Sequence, residues 1–144
     1  MTQSDIADFL GNLPEDRKAL LSAIHQIILR DDSKVQASLG KMMGKVMILY
    51  HCGSVFKYGL ASNAAHMSLH LMPIYGSAPL HEKYRKLLTQ ASFQKGCINF
   101  NKEQDMPLEI VRQLIQDCAA VDMAAIYQQA RLAAASVKKK APKK

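Results

Sequence analysis

The chain has no tryptophan, and only nine of its 144 residues are aromatic. Its core is therefore left to Leu, Ile, Val, Met and Ala. The 49% hydrophobic content supplies enough of them for one compact domain. No apolar run approaches the ~20 residues that span a bilayer, so no spanning helix is expected. Acidic residues are missing from 131–144, which carry Arg131, Lys138, Lys139, Lys140, Lys143 and Lys144. Those six account for all but one of the +7 net charge, so residues 1–130 are close to neutral. This weakens the case for the folded body as a nucleic-acid binder. The expected division is a single domain over 1–130 and a basic, disordered tail over 131–144.

Cysteine is scarce and odd in number. Cys52, Cys97 and Cys118 include no pair at CxxC spacing. The start, MTQSDIADFL, is acidic and lacks the basic-then-apolar pattern of a secretory signal. A reduced, cytoplasmic protein with free thiols is expected. Also missing are a glycine-rich phosphate loop, paired catalytic carboxylates and a nucleophile elbow.

The spacing of the residues that are present predicts a series of elements. Residues 3–11 form a helix with Ile6, Phe9 and Leu10 on one side. Pro14-Glu15-Asp16 opens a second helix, because proline and acids suit a helix start. It runs to about residue 30 with a stripe of Leu20, Leu21, Ile24, Ile27 and Ile28. Residues 34–39 read as an edge strand, and Gly40 and Gly44 punctuate the stretch after it. KVMILYHC (45–52) and VFKYGLAS (55–62), joined by Gly53-Ser54, read as a β-hairpin. Ser77 and Pro79 start a third helix that places Leu80, Tyr84, Leu87 and Leu88 along one side. FQKGCINF (93–100) reads as a single last strand. Met106-Pro107 opens a C-terminal helix with Leu108, Val111, Leu114, Ile115 and Cys118 inward, extending to about Ala134 directly or through a second segment.

The segment AHMSLHLMP (65–73) poses the sharpest local question. His66 and His70 are four apart, a spacing that on a helix could hold one metal. Met67, Leu69 and Leu71 instead alternate with His66, Ser68 and His70, and Pro73 favours an extended residue before it. A strand is predicted. It separates the two histidines by roughly 13 Å with their rings parallel rather than convergent. The fold class is therefore α+β: a curved antiparallel sheet of four or five strands with helices on one face, in the order α-α-β-β-β-β-α-β-α.

Three segments together resemble a known family. FLGNLPEDRKALLSAIHQII is similar to its opening, with Leu-Pro-Glu leading a helix. ILYHCGSVFKYGLASNAAHMSLHLMP resembles its three-strand meander. KLLTQASFQKGCINFNKEQDMPLEIVRQLI resembles its close, a helix, a Lys-Gly strand ending in Phe and a Met-Pro helix. The family is the YdhG-like domain of unknown function, common in bacteria, and the resemblance covers about residues 5–118. It implies an α+β, loosely frataxin-like fold and, for some members, an iron-chaperone role. This chain departs from the pattern at Leu39-Gly40-Lys41-Met42-Met43, where many members carry Met-Pro.

An iron site would draw on Asp5 and Asp8, Glu15 and Asp16, or Asp31 and Asp32, since hard cations prefer oxygen. No helix carries a dense acidic ridge, and helix caps account for these residues more simply. On the open sheet face, His66, Ser68 and His70 share a side. Lys57 and Gly59, or alternatively Tyr58, join them from the next strand, and Lys95, Cys97 and Asn99 from the last. Such a patch suits a small polar or anionic ligand; the competing reading is a solvated sheet face. Cys97 near a histidine is a conceivable nucleophile, whereas Cys118 is core. Lys138, Lys139, Lys140, Lys143 and Lys144 can give nonspecific contact with phosphate polymers, without aromatics for stacking. Met42, Met43, Met47, Met67 and Met72 serve as core filler or as an adaptable contact surface. The leading expectation is a non-catalytic module binding a small ligand or iron through residues His66, Ser68, His70, Lys57, Lys95 and Asn99. The alternative is a protein-interaction module, and an enzyme is the third choice.

Overall fold

The computed structural model describes residues 3–42, 44–94, 96–123 and 125. Lys95, Met43 and the basic tail lie outside the described residues, as does any continuation of the last helix beyond 125. Helices α1 (Gln3–Gly11) and α2 (Glu15–Asp31) lead into a meander of β1 (Gln36–Met42), β2 (Lys45–Cys52), β3 (Val55–Ser62) and β4 (Met67–Leu71). A four-residue helix α3 (Met72–Tyr75), then α4 (Ala78–Leu87), β5 (Ser92–Gln94), β6 (Cys97–Phe100) and α5 (Leu108–Ala119) complete the chain. A single turn of 3-10 helix, Glu103–Asp105, precedes α5.

All strand pairs are antiparallel, in the order β1-β2-β3-β4-β6-β5. The fold is α+β, with six strands rather than four or five. The difference arises at 93–100, where the chain reverses near Gly96 and pairs Phe93 with Ile98. Three further expectations are corrected. β1 runs through Gly40 to Met42, pairing Gly40 with Met47 at a point where a Cβ would sit 2.7 Å from Leu49 Cδ1. Met72, expected to be extended because it precedes Pro73, instead opens α3, and Pro73 occupies the first turn of that helix, where its missing N–H is not needed. Leu87 is 43% exposed, and Tyr84 and Leu88 carry the buried side of α4 and its C-terminal end.

The helices cover one face. Ile6 and Leu10 of α1, the stripe of α2, Tyr84 at α4, and Val111, Leu114, Ile115 and Cys118 of α5 all join one core cluster. The sheet contributes Ile48, Tyr50, Tyr58, Leu60, Met67, Leu69, Leu71, Ile98 and Phe100 to it. Their alternation with polar neighbours is the period-two pattern of a strand with one buried side. Gly53, at φ +64°, permits the two-residue turn between Cys52 and Val55. Arg17 of α2 donates to Ser62 Oγ and to the Asn63 carbonyl, tying the helix start to the end of β3. Lys83 and Tyr84 of α4 both reach Asp117 Oδ2 of α5.

One break in the alternation organises the interior. Tyr50 pairs with Tyr58 and His51 with Phe56, so Lys57 is an extra residue in β3, a β-bulge. Phe56 lies against Gly59 on the helix-free face, while Tyr58 belongs to the core. Lys57 follows Tyr58 inward, and its Nζ lies 2.7 Å from Asp32 Oδ2, with the two side chains 2% and 1% exposed. Tyr58 donates its hydroxyl to the same oxygen at 2.7 Å. Asp32 is also the C-terminal cap residue of α2, where a cation such as Lys57 is favoured by the helix dipole. Cys118 lies close enough to feel both charges, and burial pushes its thiol up to about 12.

A second buried polar pair joins α2 to the sheet: His25 Nδ1 is 2.6 Å from the Tyr50 hydroxyl. Burial holds the His25 pKa below its ordinary 6.5 and raises that of Tyr50. Among the described residues no helix is long and apolar enough to cross a membrane.

Both pairs are open to test. Lys57→Met leaves a buried, uncompensated Asp32 and costs about 3–5 kcal/mol, whereas Asp32→Leu with Lys57→Met recovers part of that loss in urea denaturation, the Tyr58 hydroxyl being left without its acceptor. Near-equal stability of Lys57→Met and the double variant would show that an unpaired Asp32 is not costly in this interior. Because His25 is harder to protonate in the fold than in the open chain, its contribution is complete above about pH 6.5 and is lost as pH falls toward its folded value. His25→Leu therefore flattens the stability profile below pH 6.5, leaving the part due to His70, and lowers stability at pH 8 by stranding the Tyr50 hydroxyl.

Candidate functional site

The face of the sheet without helices carries the candidate site. Register builds it strand by strand. Gly59 pairs with His70 and His70 with Cys97; Ala61 pairs with Ser68 and Ser68 with Asn99. Each row therefore crosses β3, β4 and β6, and all six residues point the same way. From β2, Met47 reaches the floor beside Gly59, and His51 packs edge-on against Phe56 with ring centroids 5.8 Å apart. A Cβ at Gly59 would lie 3.1 Å from Met47 Sδ, 3.3 Å from Phe56 Cζ and 3.6 Å from His70 Cβ. Glycine keeps this floor low.

Although the described helices pack on the other face, Met47 is 1% exposed, Ala61 4% and Ser68 5%. The floor is small and apolar, and the polar groups stand at its β4–β6 side.

Those polar groups are linked. Ser68 donates to Asn99 Oδ1 at 2.7 Å, and Cys97 Sγ approaches the same oxygen at 3.3 Å. With its oxygen engaged twice, the Asn99 carboxamide presents its NH₂ as the remaining donor. Burial raises the Cys97 pKa, opposed in part by the Ser68 hydroxyl, so the thiol is kept protonated rather than activated as a nucleophile. His70 is shifted down, first by burial and then by the positive charge of Lys45. It is therefore neutral near pH 7, able to donate or accept through either ring nitrogen.

The expected residues are not all brought together. Ser68, His70 and Asn99 share the face. His66 precedes β4 in the turn, its N–H bonded to Asn63 Oδ1 and its carbonyl to the Asn63 N–H, and stands outside the ladder. Lys57 does not face the site: the bulge turns it to the helix side, into its pair with Asp32. Lys95 lies outside the described residues. Gly59, Ala61, Met47 and Lys45 join the site without having been singled out together by sequence. The strand register was the missing signal, because parity alone does not say which residues stand opposite.

Among the described residues no three His, Cys, Asp or Glu side chains gather where one ion could reach them. Of the acids considered for iron, Asp32 is engaged with Lys57 and Tyr58 and Glu15 with Lys18, while Asp31 lies 3.6 Å from Arg30 and 3.7 Å from Arg112, its Oδ2 buried without a hydrogen-bond partner. The described donors therefore do not fit an iron site.

Lys45→Ala raises the His70 pKa part of the way to its ordinary value, because burial, the larger cause, remains. A histidine NMR titration in which His70 does not move on this substitution would refute the electrostatic link across the trough. No family model, no curated protein and no solved structure matches this chain; its function is read from the geometry of the trough and its polar wall.

Proposed function

We propose that this chain is a non-catalytic binding module of the YdhG-like type, whose helix-free sheet face takes a small polar or anionic ligand. One observation supports the reading: Ser68, Ala61 and Met47 are almost fully buried on a face to which none of the described helices contributes core residues. A trough with a low apolar floor and polar groups to one side is how small-ligand sites fix orientation. The Asn99 NH₂, the neutral His70 ring and the nearby Lys45 charge supply donors for an oxygen-rich group. The protonated state of Cys97 argues against nucleophilic catalysis.

A protein partner on the same face is the second reading. It is favoured by the position of four surface cavities of about 250 to 530 Å³, none of which is lined by His66, Ser68, His70 or Asn99. A shallow trough serves a protruding side chain as well as a free ligand.

Backbone NMR with orthophosphate and with succinate at millimolar concentration tests the proposal. Shifts centred on Ser68, His70 and Asn99, lost in Asn99→Ala with the rest of the spectrum unchanged, are expected. The absence of any response at these three positions to either anion would remove the anionic form of the reading. Native mass spectrometry of the purified protein covers neutral ligands, and a mass equal to that of the bare chain or its oligomers would favour the protein-partner reading.

A further inference from the structure

A second recess lies on the opposite side of the sheet, where α5 ends. It encloses about 360 Å³, at the small end of ligand pockets, and Lys34, Cys52, Val55, Lys57, Val121 and Met123 line it. We infer that this recess is a binding site for a small monocarboxylate with a short branched apolar chain, its carboxylate meeting the Lys57 ammonium and its chain lying against Val55, Val121 and Met123.

An ammonium such as that of Lys57 has three N–H donors to satisfy. Asp32 Oδ2 takes one, and that same oxygen also accepts the Tyr58 hydroxyl. Asp32 Oδ1 faces the Lys34 N–H at 3.4 Å. A buried ammonium with donors unfilled is costly. The recess that Lys57 lines is where an oxygen acceptor can meet them. The charges select the acceptor. Lys34 stands at the rim and adds a second positive group, while Asp122, also part of the lining, returns one negative. The lining side chains Lys34, Lys57 and Asp122 sum to one positive charge, which Asp32 behind Lys57 balances, so the recess suits a monoanion better than a dianion. The remaining walls are branched or flexible apolar side chains, which suit a short aliphatic tail.

This site shares no residue with the helix-free face, so the two stand or fall separately. Sodium isovalerate is the probe, titrated into the full-length protein and followed by backbone NMR. Shifts at Lys34, Cys52, Val55, Val121 and Met123 are expected, with isovalerate also protecting Cys52, and not Cys97, from iodoacetamide as read by peptide mass spectrometry. Lys34→Ala weakens binding by up to about fivefold at low salt, as an exposed ion pair does, and Val121→Phe abolishes it by filling the recess. Lys57 is left intact in these variants because its loss strands Asp32. Shifts confined to Ser68, His70 and Asn99, shifts spread over exposed lysines, or no shift with Cys52 unprotected would each overturn the inference.

Discussion

A carboxylate cannot be left alone inside a protein, and Asp32 is the residue around which this interior is arranged. It closes α2, receives the Tyr58 hydroxyl and is neutralised by Lys57. Meeting that demand requires a cation from the sheet. Regular alternation would have sent Lys57 to the helix-free side with Gly59. The bulge opposite Tyr50 and His51 is the local cost of turning it inward. A pair of this kind adds little net stability compared with apolar residues of the same size, because desolvating two charges offsets most of their attraction. Its value is positional: it sets the α2 C-terminus, the β3 backbone and the end of α5 relative to one another.

The same bulge divides the molecule chemically. Phe56 remains on the helix-free face and leans on Gly59, while Val55 and Lys57 turn to the recess below α5. One extra residue in a strand thus shapes both concave surfaces. On the upper one, hydrogen bonding among Ser68, Cys97 and Asn99 fixes a carboxamide that would otherwise rotate freely. On the lower one, a charged group is held at the wall of a cavity with apolar sides.

Much of the architecture was legible in the sequence because it rests on periodicity. The stripe of α2, the β2–β3 hairpin and the alternation of 67–71 each repeat a pattern long enough to read. The helices fall on one face because every apolar register in the sheet agrees. The parts that were not legible depend on single residues. A bulge has no period, so VFKYGLAS looked like an unbroken strand and Lys57 was assigned to the wrong side. Gly96, read within a strand, marks a reversal whose two arms are only three and four residues long. The site was legible only as a parity: Ser68 and His70 together, with Asn99 from β6. Which residues stood across from them depended on pairings between distant segments: Gly59 was one of two alternatives until the ladder paired it with His70, and Met47 was found only then.

The sheet also carries information about how the chain reaches its shape. β1 through β4 lie side by side in the order in which they are made, each joined to the next by a short reversal. Such neighbours meet with little loop entropy to overcome. The sole exchange is at the far edge, where β6 docks on β4 after a detour through α3, α4 and β5. The four-strand ribbon can therefore assemble early, from local encounters, while Asn99 and Cys97 arrive with the last strand to dock. The face that carries Ser68 and His70 is then completed only when β6 docks, so a partly assembled chain would hold Gly59 and Met47 without Cys97 and Asn99.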